Sequence, residues 1–223
     1  WPLQRGFDRF YGFMQGETDQ FHPELYADNH MIPPPARPED GYHLSEGLVD
    51  QSIAMIRNQV SLVPERPFYL YLPFGATHAP HQAPDEYLDK YKGRFDEGWD
   101  VWRERIHSKQ LELGIIPAGT ALAPRNPGVR PWTELSAREQ AFAIKLQEAF
   151  AAFLDHTDAQ LGRLLDSLAE LGLDDNTLVI ATSDNGASQE GNETGVLDEF
   201  RHFNGLPEDM AAASNRLGEI GTR

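Results

Sequence analysis

Residues 136–186 constrain the fold of this chain more than any other stretch. Residues 136–139 have the spacing of a capping box, and apolar residues then recur at steps of three and four as far as Leu171, which predicts one long amphipathic helix. After a glycine stop, the β-branched run 177–182 predicts a short buried strand that ends at the polar loop 183–186. A long helix that feeds a buried strand is the unit of helix-covered, largely parallel sheets, so an α/β protein is predicted.

A second buried strand is predicted upstream. The aromatic and aliphatic run 68–72 is suited to a strand that is buried on both faces, and a helix with an N-cap at Ser45 is predicted before it. Polar loops leave the ends of the two predicted strands, at 77–81 and 183–186. Because the ligands of parallel sheets gather at the carboxyl ends of the strands, these two loops are predicted to form the functional site.

Composition limits the classes of function. The chain has 223 residues, 40% of them hydrophobic, which is enough for one large domain with a core. Its formal net charge of -16, without a cluster of lysine and arginine, argues against nucleic acid as a partner. The absence of cysteine excludes disulfides, thiolate metal sites and a cysteine nucleophile within these residues. No apolar run is long enough to predict a membrane span, and no P-loop, dinucleotide-binding motif or nucleophile elbow is present.

Asp184 and Asn185 are the candidate metal ligands. They place a carboxylate and an amide oxygen side by side, and Gly186 relaxes the backbone where the chain would approach a ligand closely. Hard oxygen donors of this kind suit calcium or magnesium, whereas zinc favours histidine or cysteine. The alternative interpretation is structural, since Asp-Asn-Gly is also a common turn sequence.

His78 and His81 are the candidate histidines. They lie three residues apart in a rigid, proline-bearing loop that follows the predicted strand at 68–72. A histidine there can donate to an anionic oxygen or act as an acid near neutral pH. The alternative is that one or both cap the loop or face solvent. The other histidines show no comparable placement and are interpreted as structural or surface residues: His22, His30, His43, His107, His156 and His202.

Three segments together resemble the sulfatase family. The run 171–186 resembles the family signature that precedes the second half of the calcium site, 67–84 resembles the histidine loop that contacts sulfate, and 5–13 resembles the segment after the family's lysine and histidine motif. The resemblance implies an alkaline-phosphatase-like α/β fold, with a mixed, largely parallel sheet flanked by helices. It also implies hydrolysis of sulfate esters by a formylglycine nucleophile, with a calcium ion bound by Asp184 and Asn185.

The same resemblance assigns a role to one histidine and shows what the chain lacks. His78 is implied to bind the sulfate or to help protonate the leaving oxygen, while the role of His81 stays open because it lies one step beyond the usual histidine position. The chain contains no cysteine and no Ser-x-Pro-x-Arg sequence, and the family's aspartate pair, its lysine and histidine motif and its distal lysine are also missing. We therefore expect residues 1–223 to be the central part of a sulfatase catalytic domain, truncated at both ends and inactive in isolation.

Substrate size, location and alternative functions follow from the same observations. The negative charge favours a small sulfate ester over a highly sulfated polysaccharide, and the resemblance implies a periplasmic or secreted protein. The alternative enzyme is a phosphonate monoester or phosphodiester hydrolase of the alkaline phosphatase superfamily. Its zinc-dependent members typically present Asp-His where this chain has Asp184 and Asn185. A non-catalytic pseudoenzyme or binding domain is the third interpretation, and the sequence leaves the oligomeric state open.

Overall fold

The regular structure is mainly helical. A computed structural model describes residues 1–186, 191, 193, 195–197 and 199–223. Within those residues the α-helices are α1 (Leu44–Leu62), α2 (Asp85–Tyr91), α3 (Gly98–Glu112), α4 (Ala137–Glu170), α5 (Glu199–Phe203) and α6 (Met210–Ser214). Short 3-10 helices cover Pro2–Arg5, Pro38–Asp40, Trp132–Glu134, Asp174–Asn176 and Leu217–Glu219. No helix in the described ranges is both long and apolar enough to cross a lipid bilayer.

The chain divides into two compact units. Unit 1 comprises Trp1–Lys90, Phe150–Thr182 and Gly221–Arg223. Unit 2 comprises Tyr91–Ala149 and Ser183–Ile220. The division falls within helix α4, so the first part of that helix belongs to unit 2 and the second part belongs to unit 1. The two predicted site loops consequently fall in different units.

The sheet of unit 1 is small and antiparallel. Its strands, in spatial order, are β1 (Tyr11–Gly12), β2 (Leu25–Ala27) and β3 (His30–Ile32). Leu25 is fully buried and packs with Leu44 at the start of α1. The sheet therefore rests on the first turns of α1, and its strands are not the ones that the sequence pattern predicted.

The two predicted buried strands do not form. In 68–72 the even-numbered residues pack against the apolar cluster of α1 and α4, whereas Tyr69 is 77% exposed, so only one face of this segment is buried. In 177–182 most side chains are exposed, and Leu178 is 85% exposed. Neither segment pairs with another strand within the described part of the chain. The prediction was wrong because an apolar, β-branched run becomes a strand only where a neighbouring backbone satisfies its N–H and C=O groups.

Helices α1 and α4 form a large part of the core of unit 1. Val49 of α1 is buried together with Leu164 and Leu168 of α4, as the helical spacing of the apolar residues predicts. The predicted N-cap of α1 is wrong by two residues. Ser45 lies inside the helix, and His43 is the N-cap, because its imidazole accepts a hydrogen bond from the Ser45 N–H.

Helix α4 begins at the predicted capping box. The Ser136 N–H donates to Glu139 Oε2 at 2.7 Å, and the Glu139 N–H donates to Ser136 Oγ at 3.3 Å. Arg130 strengthens this start by donating to Glu139 Oε1 at 2.6 Å and to Glu193 Oε2 at 2.7 Å. The Arg130 guanidinium, together with the Ser136 N–H, lowers the pKa of Glu139 to about 2. The predicted stop is also confirmed, since Gly172 adopts a φ of 66° just after the helix.

In unit 2, Trp132 packs on the start of α3. The Trp132 ring lies edge-on to the Trp99 ring with the centroids 5.0 Å apart, and the backbone N–H of Trp132 donates to Asp100 Oδ2 at 2.8 Å. Arg125 donates to the same carboxylate at 2.8 Å. Gly98 begins the helix with a φ of 77°, and a Cβ at this position would lie 2.1 Å from the Trp132 ring. Only glycine fits this position, for both conformational and steric reasons.

Candidate active site

His78 projects from a loop that we call the histidine loop, residues 75–84. The loop turns where the His78 N–H donates to the Gly75 carbonyl at 2.9 Å. The side chain of His78 is 43% exposed, and its Nδ1 lies 2.8 Å from the Ala79 carbonyl oxygen and 3.3 Å from a carboxylate oxygen of Glu17. The Ala79 carbonyl and the Glu17 carboxylate are acceptors, so these two contacts favour the neutral tautomer that carries its proton on Nδ1.

The histidine loop is held at both ends by a short polar segment, residues 17–20, which we call the clamp segment. At the far end, buried Gln82 accepts a hydrogen bond from the Gln20 N–H at 2.8 Å and donates to Asp19 Oδ2 at 2.9 Å. At the near end, Gly75 lies so close to Gln20 that a Cβ would be 2.9 Å from its Nε2. The loop that carries the predicted histidine is therefore fixed by backbone and side-chain groups from a distant part of the chain.

The sequence pattern did not single out the clamp segment. Asp19 Oδ1 accepts hydrogen bonds from the N–H groups of Phe21 and His22, at 2.8 and 2.6 Å. Burial by itself would raise the pKa of Asp19, but these hydrogen bonds and the one from Gln82 hold that pKa below its ordinary value. An aspartate before a turn is a recognisable local signal, yet it predicts only the turn and not a partner far along the chain.

His81 has a different environment from His78. Its ring lies edge-on to Phe150 of α4 at 5.6 Å, and its Nδ1 is buried with no hydrogen-bond partner among the described residues. Burial lowers the pKa of His81, so its ring is neutral near pH 7. The structure thus separates the two candidate histidines: His78 is exposed in the loop, and His81 packs beneath it.

Two histidines that were interpreted as ordinary structural or surface residues form a buried pair beside the histidine loop. The rings of His43 and His156 are 4.4 Å apart, and His156 Nε2 lies 3.0 Å from Glu46 Oε1. His43 accepts from the Ser45 N–H through Nδ1, and its Nε2 lies 3.3 Å from the Gln82 carbonyl oxygen, which fits a neutral ring that donates through Nε2. Burial, and secondly the nearby His156, lowers the pKa of His43 to about 4.

Asp184 and Asn185 lie in an exposed turn of unit 2. Asp184 Oδ1 accepts from the Asn185 N–H at 3.0 Å, and Asn185 Nδ2 donates to the Gly186 carbonyl at 2.7 Å. These bonds form the local turn that the structural interpretation predicts. They also leave Asp184 Oδ2 and Asn185 Oδ1 without a hydrogen bond among the described residues. Two hard oxygen donors therefore remain for a cation, and the grouping of this pair with His78 of unit 1 stays a prediction.

Comparisons with known proteins agree with the resemblance that the motifs carry. A sequence model of the sulfatase family, described as Sulfatase, matches residues 2–212. An uncharacterized sulfatase of Schizosaccharomyces pombe is 34% identical over 202 residues, which cover 84% of this chain and 36% of that protein. An arylsulfatase of Klebsiella aerogenes is 32% identical over 200 residues, which cover 84% of this chain and 41% of that protein. A solved structure described as Ps i-CgsB superposes with a TM-score of 0.47 and 18% identity over 79% of this chain and 32% of that one.

The chain belongs to the sulfatase family. This membership confirms the predicted alkaline-phosphatase-like α/β class, with which a long helix pair and a small sheet are consistent. The chain spans only about two fifths of the length of the two curated relatives described above.

Proposed function

We propose that the chain is the central part of the catalytic domain of an enzyme that hydrolyses small sulfate esters. The match to the sulfatase family over residues 2–212 carries this proposal. The net charge of -16 favours a small ester over a polyanionic substrate. Since the chain has no cysteine and no Ser-x-Pro-x-Arg sequence, the formylglycine nucleophile is proposed to come from a region outside these 223 residues. A periplasmic or secreted location belongs to the same proposal.

His78 is the proposed sulfate-binding and proton-donating residue. Its side chain is exposed, and the hydrogen bond from its N–H to the Gly75 carbonyl fixes the turn of the histidine loop; both observations support this role. As the bond between sulfur and the leaving oxygen breaks, the electron pair goes to that oxygen, and His78 Nε2 supplies the proton that it needs. The ring is then left with its proton on Nδ1, the nitrogen that the Ala79 carbonyl and Glu17 face. The donor therefore ends the step in the tautomer that its surroundings favour.

Asp184 and Asn185 are the proposed calcium ligands. The turn ties the Asn185 amide nitrogen to Gly186, which leaves the amide oxygen and one Asp184 oxygen as the atoms suited to a hard cation. An amide oxygen is a poor ligand for zinc, so the donor chemistry fits calcium better. A bound dication would neutralise charge that develops on the sulfate oxygens.

The proposed enzyme that contains this chain together with its nucleophile is called the longer enzyme. Replacing His78 with alanine is expected to lower the kcat of the longer enzyme by about 100-fold, because a positioned acid contributes on this order. Circular dichroism and calcium binding should stay as in the wild type. His30→Ala, which removes an exposed histidine on β3, is the control and should leave kcat unchanged within about twofold. A wild-type rate for His78→Ala would remove His78 from the site.

Replacing Asp184 with alanine is expected to weaken calcium binding about tenfold, and the calcium concentration needed for activity should rise with it. Isothermal titration calorimetry measures the affinity independently of turnover. Asp175→Ala removes an equal charge from the exposed 3-10 helix Asp174–Asn176 and serves as the matched control. The ligand assignment is wrong if calcium affinity is the same in Asp184→Ala and in the wild type.

The proposed function is tested by assaying the longer polypeptide with phenyl sulfate and with a phenyl phosphonate monoester. A sulfatase should hydrolyse the first faster, whereas the opposite preference would support the alternative hydrolase class. The 223-residue chain alone, which has no proposed nucleophile, is the matched blank and is expected to show no turnover. If the longer polypeptide shows no activity toward either ester, the non-catalytic interpretation gains support.

A further inference from the structure

Glu17 is an acidic residue that the sequence motifs did not identify. It faces His78, the more exposed of the two histidines of the histidine loop. Its Oε2 lies 3.3 Å from His78 Nδ1. An ion pair between two exposed, independently mobile side chains contributes little. Here the backbones are tied together close by, because the clamp segment binds Gln82 through Asp19 and Gln20. These contacts already restrict both backbones, so less conformational entropy is lost when Glu17 and His78 form their pair.

We propose that Glu17 is a positioning residue that holds His78 ready to protonate the leaving oxygen of the ester; this role rests on the proposed sulfatase function. Glu17 touches Nδ1 and acts on the reaction only through the imidazole. A carboxylate beside Nδ1 stabilises the doubly protonated ring, which is the form that has a proton to give from Nε2. The proton that reaches the leaving oxygen comes from the imidazole, and Glu17 transfers none.

Neither His81 nor the Ala79 carbonyl, two other neighbours of His78, opposes this role. Glu17 and His81 are two titratable side chains of unit 1 that interact with His78. His81 is packed against Phe150, and burial lowers its pKa, so it is uncharged near pH 7 and does not repel a charged His78. The Ala79 carbonyl accepts from the same nitrogen as Glu17 and therefore supports the same ring orientation.

The pairing itself can be tested on the 223-residue chain by following the His78 ring carbon signals through a pH titration by NMR. Glu17→Gln keeps the size of the side chain and removes its charge, so the proton affinity of His78 should fall about threefold. Glu17→Asp should restore part of that loss. Glu86→Gln removes a charge from the exposed first turn of α2 and should have no effect. Equal titration curves for Glu17→Gln and the wild type would overturn the proposal.

The effect on the reaction can be tested in the longer enzyme with two esters of different leaving ability. Above the pKa of His78, Glu17→Gln should lower kcat for phenyl sulfate about threefold, because phenolate needs a proton to leave. The rate for 4-nitrophenyl sulfate should change little, because 4-nitrophenolate leaves without one. A purely structural role would slow both esters equally, and that result would overturn the proposal.

The two experiments separate failure of this inference from failure of the proposed function. If the wild-type enzyme hydrolyses neither sulfate while Glu17→Gln still weakens proton binding at His78, the pairing stands and the sulfatase function falls. If the wild-type enzyme is active and His78→Ala is not, but Glu17→Gln changes neither the titration nor the leaving-group dependence, the function stands and the role of Glu17 falls.

Discussion

Replacing Gly98 with alanine is expected to lower the free energy of unfolding by about 4 kcal/mol. Gly98 has a φ of 77°, and a residue with a Cβ in this left-handed region is disfavoured by about 1–2 kcal/mol. The new methyl group would also lie 2.1 Å from the Trp132 ring, and overpacking of this kind costs about 1–3 kcal/mol. Trp132 cannot easily move aside, because Trp99 packs against its ring and Asp100 accepts from its backbone N–H.

Gly114→Ala is the matched control for this prediction. Gly114 follows α3 with a φ of 68°, and no atom lies within 4 Å of a Cβ built there, so the substitution should cost only the backbone strain of about 1 kcal/mol. Denaturation by guanidinium can be followed by tryptophan fluorescence, since Trp99, Trp102 and Trp132 all belong to unit 2. Equal losses of stability in Gly98→Ala and Gly114→Ala would show that the contact with Trp132 is not the cause.

The helices were predictable because their signals are local. The spacing of apolar residues and the capping box at 136–139 identify α4, and the structure confirms both. The segments 68–72 and 177–182 have equally clear apolar and β-branched composition, but a strand depends on a partner whose identity a local pattern does not contain. The composition of both segments predicted that they are buried. This prediction is correct only for one face of 68–72, the face that packs on α1 and α4.

A site residue was predictable from sequence only where its residue type can itself take part in the reaction. His78 was identified from its position in a rigid loop, and the structure shows it exposed there with Nδ1 facing two acceptors. Glu17, Gln82 and His43 were missed, because each acts through a partner more than 30 residues away in the chain. Glutamine and glutamate without periodicity are read as surface residues from sequence, and only the three-dimensional contacts show which of them support a loop.

Acidification from pH 7 to pH 4 is expected to remove about 3 kcal/mol of stability through His43 alone. In the unfolded chain this histidine has an ordinary pKa of 6.5, and in the folded protein its pKa is about 4. Between these values the unfolded state binds more protons, so this contribution is complete above pH 6.5 and is lost as the pH falls toward 4. About 2 kcal/mol of it should disappear between pH 7 and pH 5, before most carboxylates begin to take up protons.

His43→Asn separates this effect from other sources of acid sensitivity. Asparagine can still cap α1 but cannot take up a proton, so the loss of stability between pH 7 and pH 5 should shrink by about 2 kcal/mol. Some dependence should remain, because burial also lowers the pKa of His81. The nearby carboxylates of Glu46 and Asp19 are present in the wild type and in His43→Asn, so they do not account for a difference between the two. His30→Asn, which removes an exposed imidazole, is the control. An unchanged pH dependence in His43→Asn would mean that the buried imidazole does not limit stability in acid, and that the link from α1 to the Gln82 carbonyl is not sensitive to pH.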